Sequence, residues 1–269
     1  MKRILITGAA GLIGCCLRER FKGVYGELRL ADIAPQAPAE AGETVLQTDI
    51  RDIAQLEAAM QDIDCVVHLA GIPTEGPWEA VRDLNIDGCY NAFEAAHRQG
   101  VKRFIFASSN HAVGFHRREQ QLNAGVVPRP DTRYGASKVF GEALGRLYAD
   151  KHGMSVASLR IGTFRSPDEP SESRQLLSWV SHRDLAQLVR CCIDHPDYHY
   201  LVAYGVSNNL RSRWSNAEVD FLGYRPQDDS EDYAQAILAK GIVEDPIAAR
   251  FHGGFFCPLE FDGDVERID

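Results

Sequence analysis

The sequence predicts a doubly wound α/β fold, a parallel sheet covered by helices on both faces. Short apolar or β-branched runs alternate with helical patterns from the N-terminus to Gly162. The runs are almost continuously apolar, as in strands buried on both faces. The first passes through a glycine-rich turn straight into a helical pattern, the unit from which such sheets are built.

The expected strands are RILITG (3–8), LRLADI (28–33), TVLQTDI (44–50), CVVHLAG (65–71), FIFASS (104–109) and VASLRIG (156–162). Each is too short for a buried helix and is bounded by glycine, aspartate or serine. Between them, GLIGCCLRERF (11–21), IAQLEAAM (53–60), WEAVRDLNIDGCYNAFEAAHRQG (78–100) and YGASKVFGEALGRLYADKHG (134–153) carry helical periodicity, the last two ending in a glycine stop. After Gly162 comes TFRSPDEPSESRQ, a loop rich in proline, serine and charge, then a helix over LLSWVSHRDLAQLVRCCI (176–193) and a strand in YHYLVAYGVS (198–207). The remainder, with NAEVDFLGY and EDYAQAILAKG, reads as a small helical lobe over the sheet's carboxyl edge.

Bulk properties narrow the function classes. No apolar run approaches the ~20 residues that span a bilayer, and the N-terminus reaches glycine too early for a signal peptide, so a cytoplasmic location without membrane association is expected. Net charge is −9, which disfavours nucleic acid as a partner. The seven cysteines form an odd set with two adjacent pairs and no CxxC, the pattern of reduced, mostly buried small hydrophobes. No histidine spacing suits a metal, and Pro196 breaks any helix that would align His195 with His199.

The turn after the first strand reads Thr7-Gly8-Ala9-Ala10-Gly11-Leu12-Ile13-Gly14. Glycines at 8, 11 and 14 permit a tight turn and let the backbone approach a pyrophosphate favoured by the following helix N-terminus. Asp32 ends the second strand, where a carboxylate accepts adenosine ribose hydroxyls and repels a 2′-phosphate, so NAD is expected rather than NADP. Asp49-Ile50 and Leu69-Ala70-Gly71 end the third and fourth strands on the same edge, beside the expected adenine and phosphates. Tyr134 and Lys138 share one helix face, and a nearby cation in a desolvated cleft moves a phenol toward general-base use. Four polar residues, Ser108 to His111, close the fifth strand facing that helix. The fold is thus of Rossmann type, with residues 1–162 as the NAD-binding domain and 163–269 as a smaller substrate-binding portion packed on it.

In this order, TGAAGLIG, Asp32, the strand-end ASSN, YGASK and an NxxG element at Asn85-Ile86-Asp87-Gly88 resemble the extended short-chain dehydrogenase/reductase superfamily. ASSNHAVGF, RPDTRYGASKVFGE, LRIGTF, SRQLLSWVSHRDL and RFHGGFF are similar to the uronate dehydrogenases. That resemblance implies NAD-dependent oxidation of the anomeric carbon of glucuronate or galacturonate to an aldarolactone. It implies that Tyr134 takes the O1 proton, Lys138 holds the nicotinamide ribose and lowers the Tyr134 pKa, and Asn85, counted with the cofactor-binding residues, supports the active-site helix. Either Ser109 or Asn110 meets the reacting oxygen; Asn110 and His111 reach sugar hydroxyls, Arg174 takes the uronate carboxylate, and Thr163 and Thr74 add hydroxyls. It further implies a homo-oligomer packed through the fourth and fifth helices. The alternatives on this scaffold are a nucleotide-sugar epimerase or dehydratase, and a noncatalytic NAD-sensing module that would have no need of Tyr134 and Lys138.

Overall fold

A computed structural model describes residues 1–268. Seven parallel strands form one sheet in the order β3-β2-β1-β4-β5-β6-β7: β1 Arg3–Thr7, β2 Glu27–Asp32, β3 Glu43–Gln47, β4 Cys65–His68, β5 Arg103–Ser109, β6 Ser155–Ile161 and β7 Tyr200–Gly205. The sheet is doubly wound, as expected. Successive side chains of one strand enter different cores: Ile4 and Ile6 join the face packed by α1 (Leu12–Phe21) and α7 (His182–Asp194), while Leu5 joins the face packed by α2 (Ile53–Met60), α4 (Gly88–Arg98) and α5 (Arg133–His152). Two apolar faces require apolar residues at every strand position, the pattern read from the sequence.

Two expected helices are interrupted. The pattern over 78–100 forms α3 (Trp78–Val81), a π-helical turn over Arg82–Asp87, and α4. The pattern over 176–193 splits into α6 (Gln175–Ser178) and α7, because the chain between them is extended and pairs with Thr163: Thr163 N donates to Ser178 O at 2.6 Å and Val180 N to Thr163 O at 3.0 Å. Ser181 then restarts the helix, its hydroxyl accepting from Asp184 N at 3.0 Å. In the C-terminal part, 217–222 and 230–233 are 3-10 turns rather than α-helix, followed by the short α8 (Ala234–Leu238) and α9 (Pro246–Arg250).

Strand order reverses between β1 and β4, the switch point where sheets of this kind open a crevice at their carboxyl ends. One cavity of about 650 Å³ occupies that edge. Among the described residues no helix is long and apolar enough to cross a membrane, and no group of three His, Cys, Asp or Glu side chains is placed to hold a metal ion. Cys65, Cys89, Cys192 and Cys257 are buried, and all seven cysteines are free.

Candidate active site

The first end of the cavity is built by the β1–α1 turn. Gly8 has φ +72° and lies so close to β4 that a Cβ would stand 2.7 Å from Ala70 N. A Cβ on Gly14 would collide with Gly8 O and Ala9, so the glycines seat α1 directly on the turn. The helix starts at Gly11 without a side-chain cap, leaving its first amides for an anion. Asp32 is aimed by two backbone donors, Ala10 N to Oδ2 and Ala34 N to Oδ1, each at 2.9 Å. Its remaining lone pairs face the cavity, which Gly8, Gly11, Leu12, Ile13, Gly14, Asp32, Asp49, Ile50, Leu69, Ala70 and Gly71 all line. Asp49 lines it with its carboxylate already engaged by Arg51 at 2.6 Å. These residues fit a dinucleotide: a turn without Cβ atoms, an uncapped helix start and a ribose-facing carboxylate.

Two buried groups brace this end from beneath. His68, which the sequence reading did not single out, pairs Nδ1 with Thr7 Oγ1 at 2.7 Å, and burial pushes its pKa down to about 3, so it is neutral. Asn85 does not line the cavity. Its Oδ1 accepts from Ile72 N at 2.8 Å, while Nδ2 donates to Ile72 O at 3.0 Å and Ser137 Oγ at 3.1 Å. It ties the loop after β4 to the Tyr134 helix, a positioning role rather than a cofactor contact.

At the other end, α5 begins at the Thr132 cap, whose hydroxyl accepts from Gly135 N at 3.0 Å, and this places Tyr134 in the wall. Burial pushes the Tyr134 phenol up to about 12, while a hydrogen bond with Ser109 pulls it down. Lys138 donates Nζ to Ala107 O at 2.9 Å and lies over the Tyr134 ring, 5.5 Å from its centroid; burial lowers its pKa to about 8. Lys138 thus lies beside the Tyr134 ring at the start of α5, four residues along the same helix.

The polar row after β5 divides its tasks. Ser108 donates to Glu142 Oε1 at 2.6 Å, and Glu142 in turn holds Arg160 through two bonds of 2.9 and 2.8 Å, a buried network under the site. Ser109 stands beside Tyr134 and accepts from His111 N at 3.2 Å. Asn110 turns to Arg174: with its amide assigned in the orientation that satisfies both neighbours, Oδ1 accepts from Nη2 at 2.6 Å and Nδ2 donates to Ile161 O at 3.1 Å. His111 lines the cavity, with Nδ1 at 2.6 Å from Asp131 Oδ2 and its ring 4.0 Å from that of Phe256, tilted by 35°.

Arg174 is buried in the same wall, its Nε donating to His252 O at 2.9 Å. Gly254, at φ +62°, leaves room for its stem. Among the described residues no carboxylate lies within ion-pair distance of Arg174; burial pulls its pKa down, while the more distant carboxylates of Asp131 and Glu172 oppose that shift. Thr163 lines the cavity and pairs with Ser178 Oγ at 2.8 Å. Thr74 does not reach it: Pro73 lines the wall, Thr74 turns out to solvent, and Glu75 comes back to accept from Tyr134 N at 2.9 Å. The sequence reading also passed over Phe255, Phe256, Glu172 and Gln175, which complete the wall. RFHGGFF carries the two phenylalanines and SRQLLSWVSHRDL the glutamine, both as family segments that gave these residues no role.

The chain matches the model of the NAD dependent epimerase/dehydratase family over residues 4–187. A uronate dehydrogenase of Pseudomonas putida is 40% identical over 94% of this chain and 95% of its own length. An NAD-dependent glucose-6-phosphate dehydrogenase of Haloferax volcanii is 38% identical over 86% of this chain and 95% of its own. A crystal structure of a tyrosine-to-alanine mutant of uronate dehydrogenase from Agrobacterium tumefaciens, complexed with NAD, superposes with a TM-score of 0.91 at 39% identity, covering 98% of both chains.

Proposed function

The chain belongs to the uronate dehydrogenases of the NAD dependent epimerase/dehydratase family and is an NAD-dependent oxidoreductase of uronates; we propose that the carbon it oxidises is the anomeric carbon of a hexuronate, D-glucuronate or D-galacturonate, and that the product is the aldarolactone. NAD, when bound, supplies the hydride acceptor and a positive ring charge that favours phenolate. Tyr134 takes the proton from O1, its phenol already hydrogen-bonded to Ser109. Ser109 orients the reacting oxygen, and Lys138 holds the nicotinamide ribose at the foot of α5. Arg174 meets the uronate carboxylate, with Asn110 and the His252 carbonyl fixing the guanidinium. His111 and Thr163 reach the sugar hydroxyls.

The observation that carries this reading is Arg174, a buried guanidinium in the same cavity as Tyr134 and Ser109, on which the carboxylates of Asp131 and Glu172 act only from beyond ion-pair distance. Burying such a charge is costly unless an anion arrives to meet it. On this reading residues 1–162 bind the dinucleotide, while 163–269 supply the parts that read the sugar. The assay is NADH formation with glucuronate, galacturonate, glucose, glucose 6-phosphate and a UDP-sugar. Turnover is expected with uronates, little with the UDP-sugar, and none for Tyr134→Phe. Arg174→Met is expected to lower kcat/KM for uronates roughly ten- to hundredfold, for a charge-assisted bond of ~1.5–3 kcal/mol. Equal turnover of glucose and glucuronate by the unaltered enzyme would remove the role given to Arg174. Light scattering after size exclusion tests the homo-oligomer that we also propose; a monomer at assay concentration overturns it.

A further inference from the structure

Asp131 has no place in the chemistry above, yet it is among the most enclosed charged side chains near the site. Its side chain has no solvent exposure. Oδ2 lies 2.6 Å from His111 Nδ1, and Oδ1 accepts from Thr132 Oγ1 at 2.9 Å. That threonine hydroxyl also caps α5, so the carboxylate is tied to the helix that carries Tyr134. Three glycines close around it: a Cβ on Gly114 or Gly253 would collide with Oδ2, and one on Gly135 would stand 3.1 Å from Oδ1. Gly253 N donates to Gly114 O at 2.9 Å, locking the C-terminal segment against the loop after β5. Three separate chain segments therefore converge on one carboxylate without a side chain between them.

We infer that Asp131 is a positioning residue that fixes the hydrogen-bonding polarity of the substrate wall, by holding His111 in the tautomer with Nδ1–H toward the carboxylate and Nε2 toward the cavity as an acceptor. The ring is hemmed in: Phe256 lies against it at 4.0 Å, tilted by 35°, and the Tyr134 ring stands edge-on at 5.9 Å. Nδ1 lies 2.6 Å from one oxygen of a carboxylate whose other partners are a hydroxyl and a glycine cage, so the bond is made by Nδ1–H, and the tautomer it selects leaves a lone pair on Nε2. The wall consequently presents donors at Arg174 and an acceptor at His111, so it receives a sugar hydroxyl at the latter. A carboxylate behind a histidine has the same orienting effect in hydrolytic triads, where the amide replacement leaves the geometry and costs the correct tautomer. Holding a buried carboxylate by glycines and a helix cap makes the arrangement rigid before substrate arrives. The inference rests on the uronate reading for the identity of the hydroxyl, but not for the tautomer.

The experiment has two arms on the full chain. In the first, nitrogen-15 NMR of labelled protein at neutral pH, with the His111 resonances assigned by their loss in His111→Gln, is expected to show Nδ1 protonated and Nε2 bare. A proton on Nε2, alone or in an imidazolium, overturns the inference. In the second, Asp131→Asn is expected to lower kcat/KM for a uronate at least tenfold while NAD affinity changes less than twofold, with the Nδ1 tautomer no longer exclusive. A kcat/KM within twofold of the unaltered enzyme overturns it as well. The NMR arm needs neither a soluble Asp131→Asn variant nor any substrate. It thus decides the tautomer even if that variant fails to fold, and independently of whether a uronate is oxidised.

Discussion

Lys138 is buried beside Tyr134 with the Ala107 carbonyl as its hydrogen-bond partner, and burial lowers its pKa from 10.5 to about 8. Below pH 8 it is charged in both folded and unfolded chains, so the folded form bears the full desolvation cost. Between about 8 and 10.5 the unfolded chain keeps the proton that the folded chain has released, and stability rises with pH. Lys138→Met is therefore expected to be inactive yet more stable at pH 7. By pH 10 that advantage should shrink by about 2 to 3 kcal/mol, read from urea unfolding at the two pH values; a constant difference would contradict it. Glu172 bears on substrate choice. It lines the cavity on the same turn as Arg174, with Oε1 accepting from Gln175 Nε2 at 3.0 Å. One guanidinium with one carboxylate nearby suits a monoanion and repels the second charge of a phosphate. Glu172→Gln is expected to raise kcat/KM for glucose 6-phosphate roughly tenfold relative to glucuronate; an unchanged ratio would show that Glu172 does not discriminate. Tyr134, Lys138 and Asp32 were legible in the sequence because strand ends and four-residue helical spacing are local. Phe256, Asp131 and the outward turn of Thr74 were not, since each depends on where a distant segment comes to rest.

At the scale of elements, β1 and β4 are joined at their carboxyl ends by Thr7 and His68. His68 is neutral in the fold, with a pKa of about 3 against an ordinary 6.5, so above pH 6.5 it costs nothing. As pH falls below 6.5 the unfolded chain takes up a proton that the folded chain refuses, and stability is lost progressively toward pH 3. Between pH 7 and 5 the unaltered protein is expected to lose about 2 kcal/mol more than His68→Gln, measured by urea unfolding; parallel losses would refute this. The sheet itself was readable from composition, because strands buried on both faces leave no polar alternation. The break at Trp179 was not: α6 and α7 share a helical pattern, and only the bridge to Thr163 shows why the chain straightens between them.

Across the molecule, a single cavity is assembled from both ends of the chain, with the glycine turn and Asp32 at one end and Arg174, Phe255 and Phe256 at the other. Hydrogen exchange should divide accordingly. NAD alone is expected to slow amides in 8–14 and 32–34, and a uronate added to that complex to slow 172–176 and 252–257. Uronate protection confined to the glycine turn would separate the C-terminal segment from the sugar. This division follows from a feature that motif reading handled only in part. The glycine turn and Asp32 are compact signatures, whereas Glu172, Arg174, Phe255 and Phe256 reach the cavity from segments whose spacing follows the turns of loops.

The π-helical turn at Arg82–Asp87 gives the gene a point of fragility. Such a turn carries an extra residue relative to an α-helical one, and Asn85 sits within it. Loss of one codon there would restore regular winding and leave the hydrophobic cores in place. It would also swing the asparagine by ~100° about the axis, away from the Ile72 loop and Ser137. Such a deletion is expected to lower turnover more than folded yield, because the bonds it removes tie the Ile72 loop to the Tyr134 helix rather than fill a core; equal losses of soluble protein and of NADH formation would contradict this.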